Sequence, residues 1–260
     1  MRPWPYPRVL AHRGGGIFAP ENTVAALRIG QQRGFRGVEF DVTLSADGES
    51  VLMHDATLNR TTDGRGPVAG RTWAELARLD AGGWFSPDFA REPIPRLADA
   101  IAFCRGHQVW INAEIKPAPG AELQTGQQVA RAIARDFADR MQSVVAPDGL
   151  PDPQLPLLSS FSSQALGAAR DAVPALPRGL LCGRIPRDWR EQLQGLECVA
   201  LHCDHRHLDA EAIEAVHSAG YWVFCYTVND RRRATRLAQW GIEAFCTDRL
   251  DLIDPTLLGS

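Results

Sequence analysis

Short β-rich runs alternate with helix-like segments along most of this 260-residue chain. The predicted strands are RVLAH (8–12), GVEFD (37–41), VWINAEI (109–115), LPLLSSF (155–161), RGLLC (178–182), CVALHC (198–203), YWVFCYTV (221–228) and EAFCTD (243–248). The helix candidates are NTVAALRIGQQRG (22–34), LADAIAFCRG (97–106), GQQVARAIARDF (126–137), SSQALGAARDA (162–172), LDAEAIEAVHSAG (208–220) and RRRATRLAQWG (231–241), and 146–156 is predicted to be a loop. Eight such units predict a TIM (β/α)8 barrel in the α/β class, with 1–260 as a single domain.

Residues 42–54 do not fit a plain strand–helix unit. The dipeptide DG at 47–48 is a signal for a two-residue type I′ turn, so the sequence predicts a β-hairpin after the second strand. In the register of that turn, paired residue numbers add up to about 95, which sets Asp41 opposite His54. Residues 55–95 are rich in glycine, proline and polar residues, and they are predicted to form a small insertion over the barrel mouth.

Charged side chains are expected at the ends of two predicted strands. Glu39 and Asp41 share one face of the second strand, and Glu114 shares a face of the third strand with a lysine, because residues two apart on a strand point the same way. The carboxyl ends of the strands form the catalytic face of a TIM barrel. The bland interpretation is solvated or ion-paired acids. Three converging carboxylates, however, need a counter-charge, which predicts one divalent cation, preferably Mg²⁺, with Ca²⁺ or Mn²⁺ as alternatives.

Lys116 is the only lysine among the 28 basic residues of the chain. An ammonium is compact, whereas the planar fork of a guanidinium would collide with a cation bound beside it. Lys116 is therefore predicted to neutralise a ligand carboxylate and to contact a phosphate oxygen.

Two histidines end predicted elements at the same face of the barrel. His12 ends the first strand and His54 ends the hairpin, and imidazoles transfer protons near neutral pH, so both are candidates for acid/base catalysis, although a lone histidine at a strand end is often structural. Arg13 precedes three glycines in a turn whose N–H groups could meet an anion. The run HCDHRH (202–207) is expected to supply substrate contacts rather than a zinc site, because alternate residues of a strand point in opposite directions.

Composition excludes several classes of partner. A formal charge of −3 and a pI near 6.2 give no basic surface for nucleic acid or for an anionic membrane. The chain contains no run of 18 apolar residues, and its N-terminus lacks the apolar core of a secretory signal. The six cysteines form no CxxC pair and are expected to be buried thiols, which predicts a cytoplasmic location. The oligomeric state is left open.

Five stretches between about residues 8 and 252 resemble the glycerophosphodiester phosphodiesterases, and especially their cytoplasmic bacterial branch linked to glycerol phosphate uptake. The stretches are AHRGGGIFAPENT, VEFDVTLSADGESVLMHD, NAEIKP, YTVND and GIEAFCTDRLD. The resemblance implies that the metal ligands are Glu39, Asp41 and Glu114, that the catalytic pair is His12 and His54, and that Arg13 and Lys116 contact phosphate. Many family members have tryptophan where this chain has Tyr226, so Tyr226 and Phe161 are expected either to line the pocket or to fill the mouth.

The resemblance further implies metal-dependent hydrolysis of glycerophosphodiesters, such as glycerophosphocholine or glycerophosphoethanolamine, to sn-glycerol 3-phosphate and an alcohol. His12 would act as base and His54 as acid, through a cyclic phosphate by analogy with phosphatidylinositol-specific phospholipase C. One alternative is a phospholipase D-like lyase on lysolipids, which would need an apolar patch beside the mouth. The other is a non-catalytic barrel that binds phosphodiesters, which should lack a ligand or a histidine.

Overall fold

The computed structural model describes residues 3–141 and 152–259 and contains, within them, one nine-stranded sheet. The strands are β1 (Val9–Ala11), β2 (Gly37–Leu44), β3 (Ser50–Leu52), β4 (Trp110–Ile115), β5 (Leu157–Ser160), β6 (Arg178–Cys182), β7 (Ala200–Asp204), β8 (Trp222–Tyr226) and β9 (Ala244–Thr247). All except β3 are parallel, and β1 pairs with both β2 and β9, which closes the sheet. The predicted TIM barrel is therefore confirmed.

Helices surround the barrel on its outer side. They are α1 (Val24–Gln32), α2 (Trp73–Leu76), α3 (Leu97–Gly106), α4 (Glu122–Asp136), α5 (Ala138–Met141), α6 (Ser163–Ala172), α7 (Trp189–Gly195), α8 (Ala210–Ser218) and α9 (Arg231–Gln239). The six predicted helices are present; α3 has the predicted bounds, and the other five differ at one or both ends. Helix α7 was missed because it buries only Trp189 and Leu193, which is too short a pattern to show a period. None of the helices in the described ranges has the length and apolarity needed to cross a membrane.

The predicted register of the hairpin is wrong by one residue. Val42 lies opposite Leu52, so paired numbers add up to 94, and the backbone N–H of Met53, rather than His54, bonds to the carbonyl of Asp41. A type I′ turn needs positive φ at both central residues, but only Gly48 has one, at 83°. The loop is wider because the Ser45 side chain accepts a hydrogen bond from the N–H of Glu49.

Aromatic side chains fill the amino end of the barrel. Tyr6 stacks on Trp110 with ring centroids 4.4 Å apart, and Trp4 packs edge-on against Trp222 at 5.2 Å. Trp110 and Trp222 are each the first residue of their strand. The aromatic side chains therefore close the amino end of the barrel. Polar side chains are concentrated at the opposite end, where a TIM barrel carries its active site.

Residues 55–95 follow the hairpin and contain two isolated β-bridges, Thr57 with Pro67 and Asp80 with Pro93. They pack on β3 through a small apolar cluster of Val51, Met53, Leu58, Val68, Leu76, Ala81 and Ile94. The assignment of 1–260 to one domain, with 55–95 as an insertion over the mouth, stays a prediction. Of the predicted loop at 146–156, residues 146–151 lie outside the described residues, and 152–156 contain no helix or strand.

Candidate active site

Three carboxylates meet at the carboxyl end of two adjacent strands. Glu39 and Asp41 project from β2 and Glu114 from β4, and the parallel register pairs Asp41 with Glu114. Each of the three offers one oxygen, these oxygens lie within 4.8 Å of one another, and all three residues are buried. The structure thus brings together the acids that strand periodicity singled out.

The electrostatics of this cluster show more negative charge than the protein neutralises. Burial, together with the charge of Asp41, raises the pKa of Glu39 to about 7 and that of Glu114 to about 8. Burial would also raise the pKa of Asp41, but the charges of Lys116 and Arg13 overcome it and lower that pKa. The carboxylates therefore call for a further positive charge before all three can be ionised.

The donor set fits a hard divalent cation, because it consists of carboxylate oxygens alone. Lys116 adds a fixed positive charge beside it. Its Nζ lies 2.6 Å from Oε1 of Glu114 and 3.5 Å from Oδ1 of Asp41. On the other side, Nε of Arg13 lies 3.5 Å from Oδ2 of Asp41. Both basic residues predicted for phosphate contact are thus found against the carboxylates.

Asn22 holds Asp41 in place and was not predicted to belong to the site. Its amide donates to Oδ2 of Asp41 at 2.8 Å, and its Oδ1 accepts from the backbone N–H of Asp41 at 3.0 Å. Asn22 has a positive φ of 59°, a conformation that asparagine adopts more readily than most residues. Its neighbour Thr23 caps α1 by accepting a hydrogen bond from the N–H of Ala26.

His12 is oriented by a carboxylate that directly follows the last strand. Its Nδ1 donates to Oδ1 of Asp248 at 2.6 Å, and Asn229 holds Asp248 through two hydrogen bonds of 2.8 Å. Nε2 of His12 lies 3.7 Å from Glu39. Burial would lower the pKa of His12, but the hydrogen bond to Asp248 and the charges of Glu39 and Asp248 outweigh burial and raise it. Asp248 and Asn229 were not predicted.

His54 is also oriented by a carboxylate, which belongs to the next residue. Nδ1 of His54 donates to Asp55 at 2.8 Å, and Arg60 grips the same carboxylate through Nε and Nη2 at 2.8 and 2.9 Å. Arg60 also binds Glu21, which in turn binds Arg13 at 2.7 Å. This chain of ion pairs joins His54 to Arg13 across the mouth. Neither Glu21 nor Arg60 was predicted to belong to the site.

A cavity of about 340 Å³ lies beside His54 and Lys116. Phe161 forms part of its wall, is 52% exposed, and has Lys116 Nζ 5.7 Å from its ring centre. Tyr226 packs edge-on against Phe161 with centroids 6.0 Å apart and donates its hydroxyl to the carbonyl of Cys182. The two aromatic residues are therefore neighbours at the mouth. This position is compatible both with lining the pocket and with filling the mouth.

The polar run at 202–207 does not converge on one point. Asp204 is held by Arg206, while His205 contacts Arg233. His202 lies inside the barrel, stacked on Phe224. In the part of the chain that the structure describes, the acidic cluster of β2 and β4 is the one group of three metal-ligating side chains close enough to share an ion.

The carboxyl ends of the strands carry an acidic cluster, a lysine and two carboxylate-bound imidazoles. This is the arrangement of an active site in a TIM-barrel enzyme. Residues 12–252 match the model of the Glycerophosphoryl diester phosphodiesterase family. The chain belongs to this family and is an enzyme of it.

Three relatives extend this finding over nearly the whole chain. A glycerophosphodiester phosphodiesterase of Caldanaerobacter subterraneus subsp. tengcongensis is 32% identical over 247 residues, which cover 92% of this chain and 93% of that protein. The structure of a phosphodiesterase from Oleispira antarctica, in complex with the product sn-glycerol-3-phosphate, is 35% identical with a TM-score of 0.85, covering 96% and 95%. A glycerophosphodiester phosphodiesterase from Agrobacterium tumefaciens is 27% identical with a TM-score of 0.76, covering 94% and 97%.

Proposed function

We propose that this enzyme hydrolyses glycerophosphodiesters to sn-glycerol 3-phosphate and an alcohol. The observation that carries the proposal is the buried cluster of Glu39, Asp41 and Glu114, with the carboxylate-bound imidazoles of His12 and His54 at the same mouth. Family membership supports it, and so does the product bound in the related Oleispira antarctica structure.

The three carboxylates would hold one divalent cation, with Mg²⁺ preferred and Ca²⁺ or Mn²⁺ as alternatives, because all three offer hard oxygen ligands. When bound, such an ion polarises a phosphoryl oxygen and stabilises the charge that develops on it. A phosphate bound to that ion would lie beside the carboxylates. Lys116 and Arg13 would bind its other oxygens, because both side chains lie against the same carboxylates. Phe161 and Tyr226 line the mouth and limit the position of the substrate.

Two imidazoles serve the reaction because in-line displacement needs a base and an acid on opposite sides of phosphorus. Asp248 holds Nδ1 of His12, which leaves Nε2 to take the proton from the glycerol 2-hydroxyl as that oxygen attacks phosphorus. Asp55 holds Nδ1 of His54, which leaves Nε2 to protonate the departing alcohol oxygen as its bond to phosphorus breaks. Water then opens the cyclic phosphate with the two roles reversed.

A soluble diester tested beside a lysolipid checks the substrate class. We expect the protein with Mg²⁺ to release sn-glycerol 3-phosphate from glycerophosphocholine, and to leave lysophosphatidylcholine untouched. The lyase alternative is favoured by one observation alone, since Trp84 in the insertion is 41% exposed and packs on Phe85. Neither residue lines the cavity beside His54. Cleavage of the lysolipid with no release from glycerophosphocholine would decide for the lyase.

Lys116→Arg should lower kcat about 10²-fold while the protein stays folded, because a fork of two nitrogens cannot occupy the space between Glu114 and Asp41 without displacing the cation. The matched control is Arg71→Lys, which also exchanges the two basic residues, at an exposed pair with Glu75. The measurement is steady-state kinetics with circular dichroism. Near-normal turnover by Lys116→Arg would contradict the role given to the ammonium.

The location proposed for the enzyme is the cytoplasm. All six cysteines are free thiols in the structure, and five of them are buried. Free thiols persist in a reducing compartment.

A further inference from the structure

Three polar side chains in the interior of the barrel have atoms without a hydrogen-bond partner among the described residues. They are both ring nitrogens of His202, Oγ of Ser159 and Oδ1 of Asn112. The residues are 1%, 0% and 2% exposed, respectively, and stand on β7, β5 and β4. All three line a single cavity of about 40 Å³, whose wall also includes Glu39 and Glu114 and, on the side of the mouth, His12, Phe161 and Tyr226.

Burying a polar group without a partner is unfavourable, and nearly all such groups in native proteins bond to protein or to ordered water. A cavity can hold a water molecule when it offers at least roughly 10–15 Å³ and two to four polar partners. This cavity meets both conditions, although it is far too small for a glycerol unit. Water is therefore the ligand that its size and lining fit.

The surroundings of His202 show that a polar ring is accommodated there. A Cβ on Gly179 would lie 2.3 Å from Nε2 of His202. The neighbouring strand therefore leaves room for the imidazole because glycine has no side chain. Phe224 stacks on the ring with centroids 4.5 Å apart. Burial lowers the pKa of His202 to about 3, so the ring is neutral and can donate one hydrogen bond and accept another.

We propose that Asn112, Ser159 and His202 form an internal hydration site, which holds ordered water against Glu39 and Glu114 and thereby positions these carboxylates for the cation. The inference rests on the proposed function, because it takes the carboxylates as ligands of the ion. The water bonds the side of Glu39 and Glu114 that faces this cavity. His202 touches neither the cation nor the substrate and is a positioning residue.

The test compares the binding of Mg²⁺ by purified variants, measured by calorimetry, with the melting temperature of the cation-free proteins. Ser159→Ala removes a single oxygen, and His202→Leu removes both ring nitrogens. Each should weaken Mg²⁺ binding about 10-fold, the usual effect of losing a group that orients a metal ligand. Leu181→Val is the control, because Leu181 lines the same cavity without a polar atom, and its affinity should change less than about 2-fold.

A dry cavity would give the opposite pattern. His202→Leu would then replace unpaired nitrogens by apolar groups. Its melting temperature would be higher than that of the wild type, and its affinity for Mg²⁺ would be unchanged. That result, or a high-resolution crystal structure of the cation-free protein without ordered water against His202 and Ser159, would overturn the inference. If His202→Leu does not fold, Ser159→Ala decides.

The inference and the proposed function fail differently. A wild-type protein that binds no Mg²⁺ and splits no glycerophosphodiester overturns the proposed function, and the positioning of its ligands with it. A wild-type protein that binds and turns over, with Ser159→Ala binding the ion equally well, overturns the inference alone.

Discussion

His54→Ala is expected to lower kcat for glycerophosphocholine by about 10²–10⁴-fold, because the departing alcohol loses the group that protonates it. His12→Ala should cause a loss of the same order, since the attacking hydroxyl loses its base. Both variants should fold normally. His54 is partly exposed, and its fixed partner Asp55 stays bound to Arg60. Steady-state kinetics and thermal melting measure the two effects separately.

A substrate with a good leaving group distinguishes the two histidines. A p-nitrophenyl ester of glycerol phosphate needs little protonation of its leaving oxygen, so in a single turnover His54→Ala should release p-nitrophenol at most of the wild-type rate, whereas His12→Ala should not. The reversed pattern would exchange the roles of acid and base. His107→Ala is the control, because His107 is an exposed histidine that bonds a backbone carbonyl of its own helix. An active double variant, His12→Ala with His54→Ala, would end the proposal of two-imidazole catalysis.

Asp41→Asn is expected to abolish measurable binding of Mg²⁺ and to lower kcat/KM by roughly 10³-fold. The substitution keeps the shape of the side chain but removes the charge of the one carboxyl whose pKa Lys116 and Arg13 hold low. Those two cations would then stand against a neutral amide, and repulsion would disfavour a further positive ion. Calorimetric titration with Mg²⁺, together with kinetics at saturating metal, measures both effects.

The matched control for that experiment is Asp251→Asn, which makes the same change at an exposed aspartate paired with Arg249. It should leave cation binding and turnover unchanged. If Asp41→Asn bound Mg²⁺ as tightly as the wild type, the acidic cluster would not be the cation site.

The acidic cluster could be predicted from the sequence because it depends on two short-range rules. Alternation along a strand sets Glu39 and Asp41 on one face, and closure of a parallel barrel brings the next strand, with Glu114, alongside. The pairing of Asp41 with Glu114 follows from these rules without knowledge of side-chain contacts. The same reasoning placed Lys116.

Contacts between distant parts of the chain could not be predicted in this way. Asp248 lies 236 residues from His12, and nothing in the local pattern marks it as the partner of that ring. The hairpin register failed for a different reason. The hydroxyl of Ser45 bonds within the loop and stabilises a wider turn than the dipeptide at 47–48 indicates. The interior position of His202 follows from strand alternation, but only the three-dimensional structure shows that its ring nitrogens have no hydrogen-bond partner among the described residues.

The central claim is that an ion held by Glu39, Asp41 and Glu114 is required for turnover, and cation removal tests it most directly. Protein freed of metal by a chelator and then dialysed should release no sn-glycerol 3-phosphate from glycerophosphocholine. Adding back Mg²⁺ should restore the full rate, with one ion bound per chain. Chelator-treated protein that still splits glycerophosphocholine at the original rate would contradict the account.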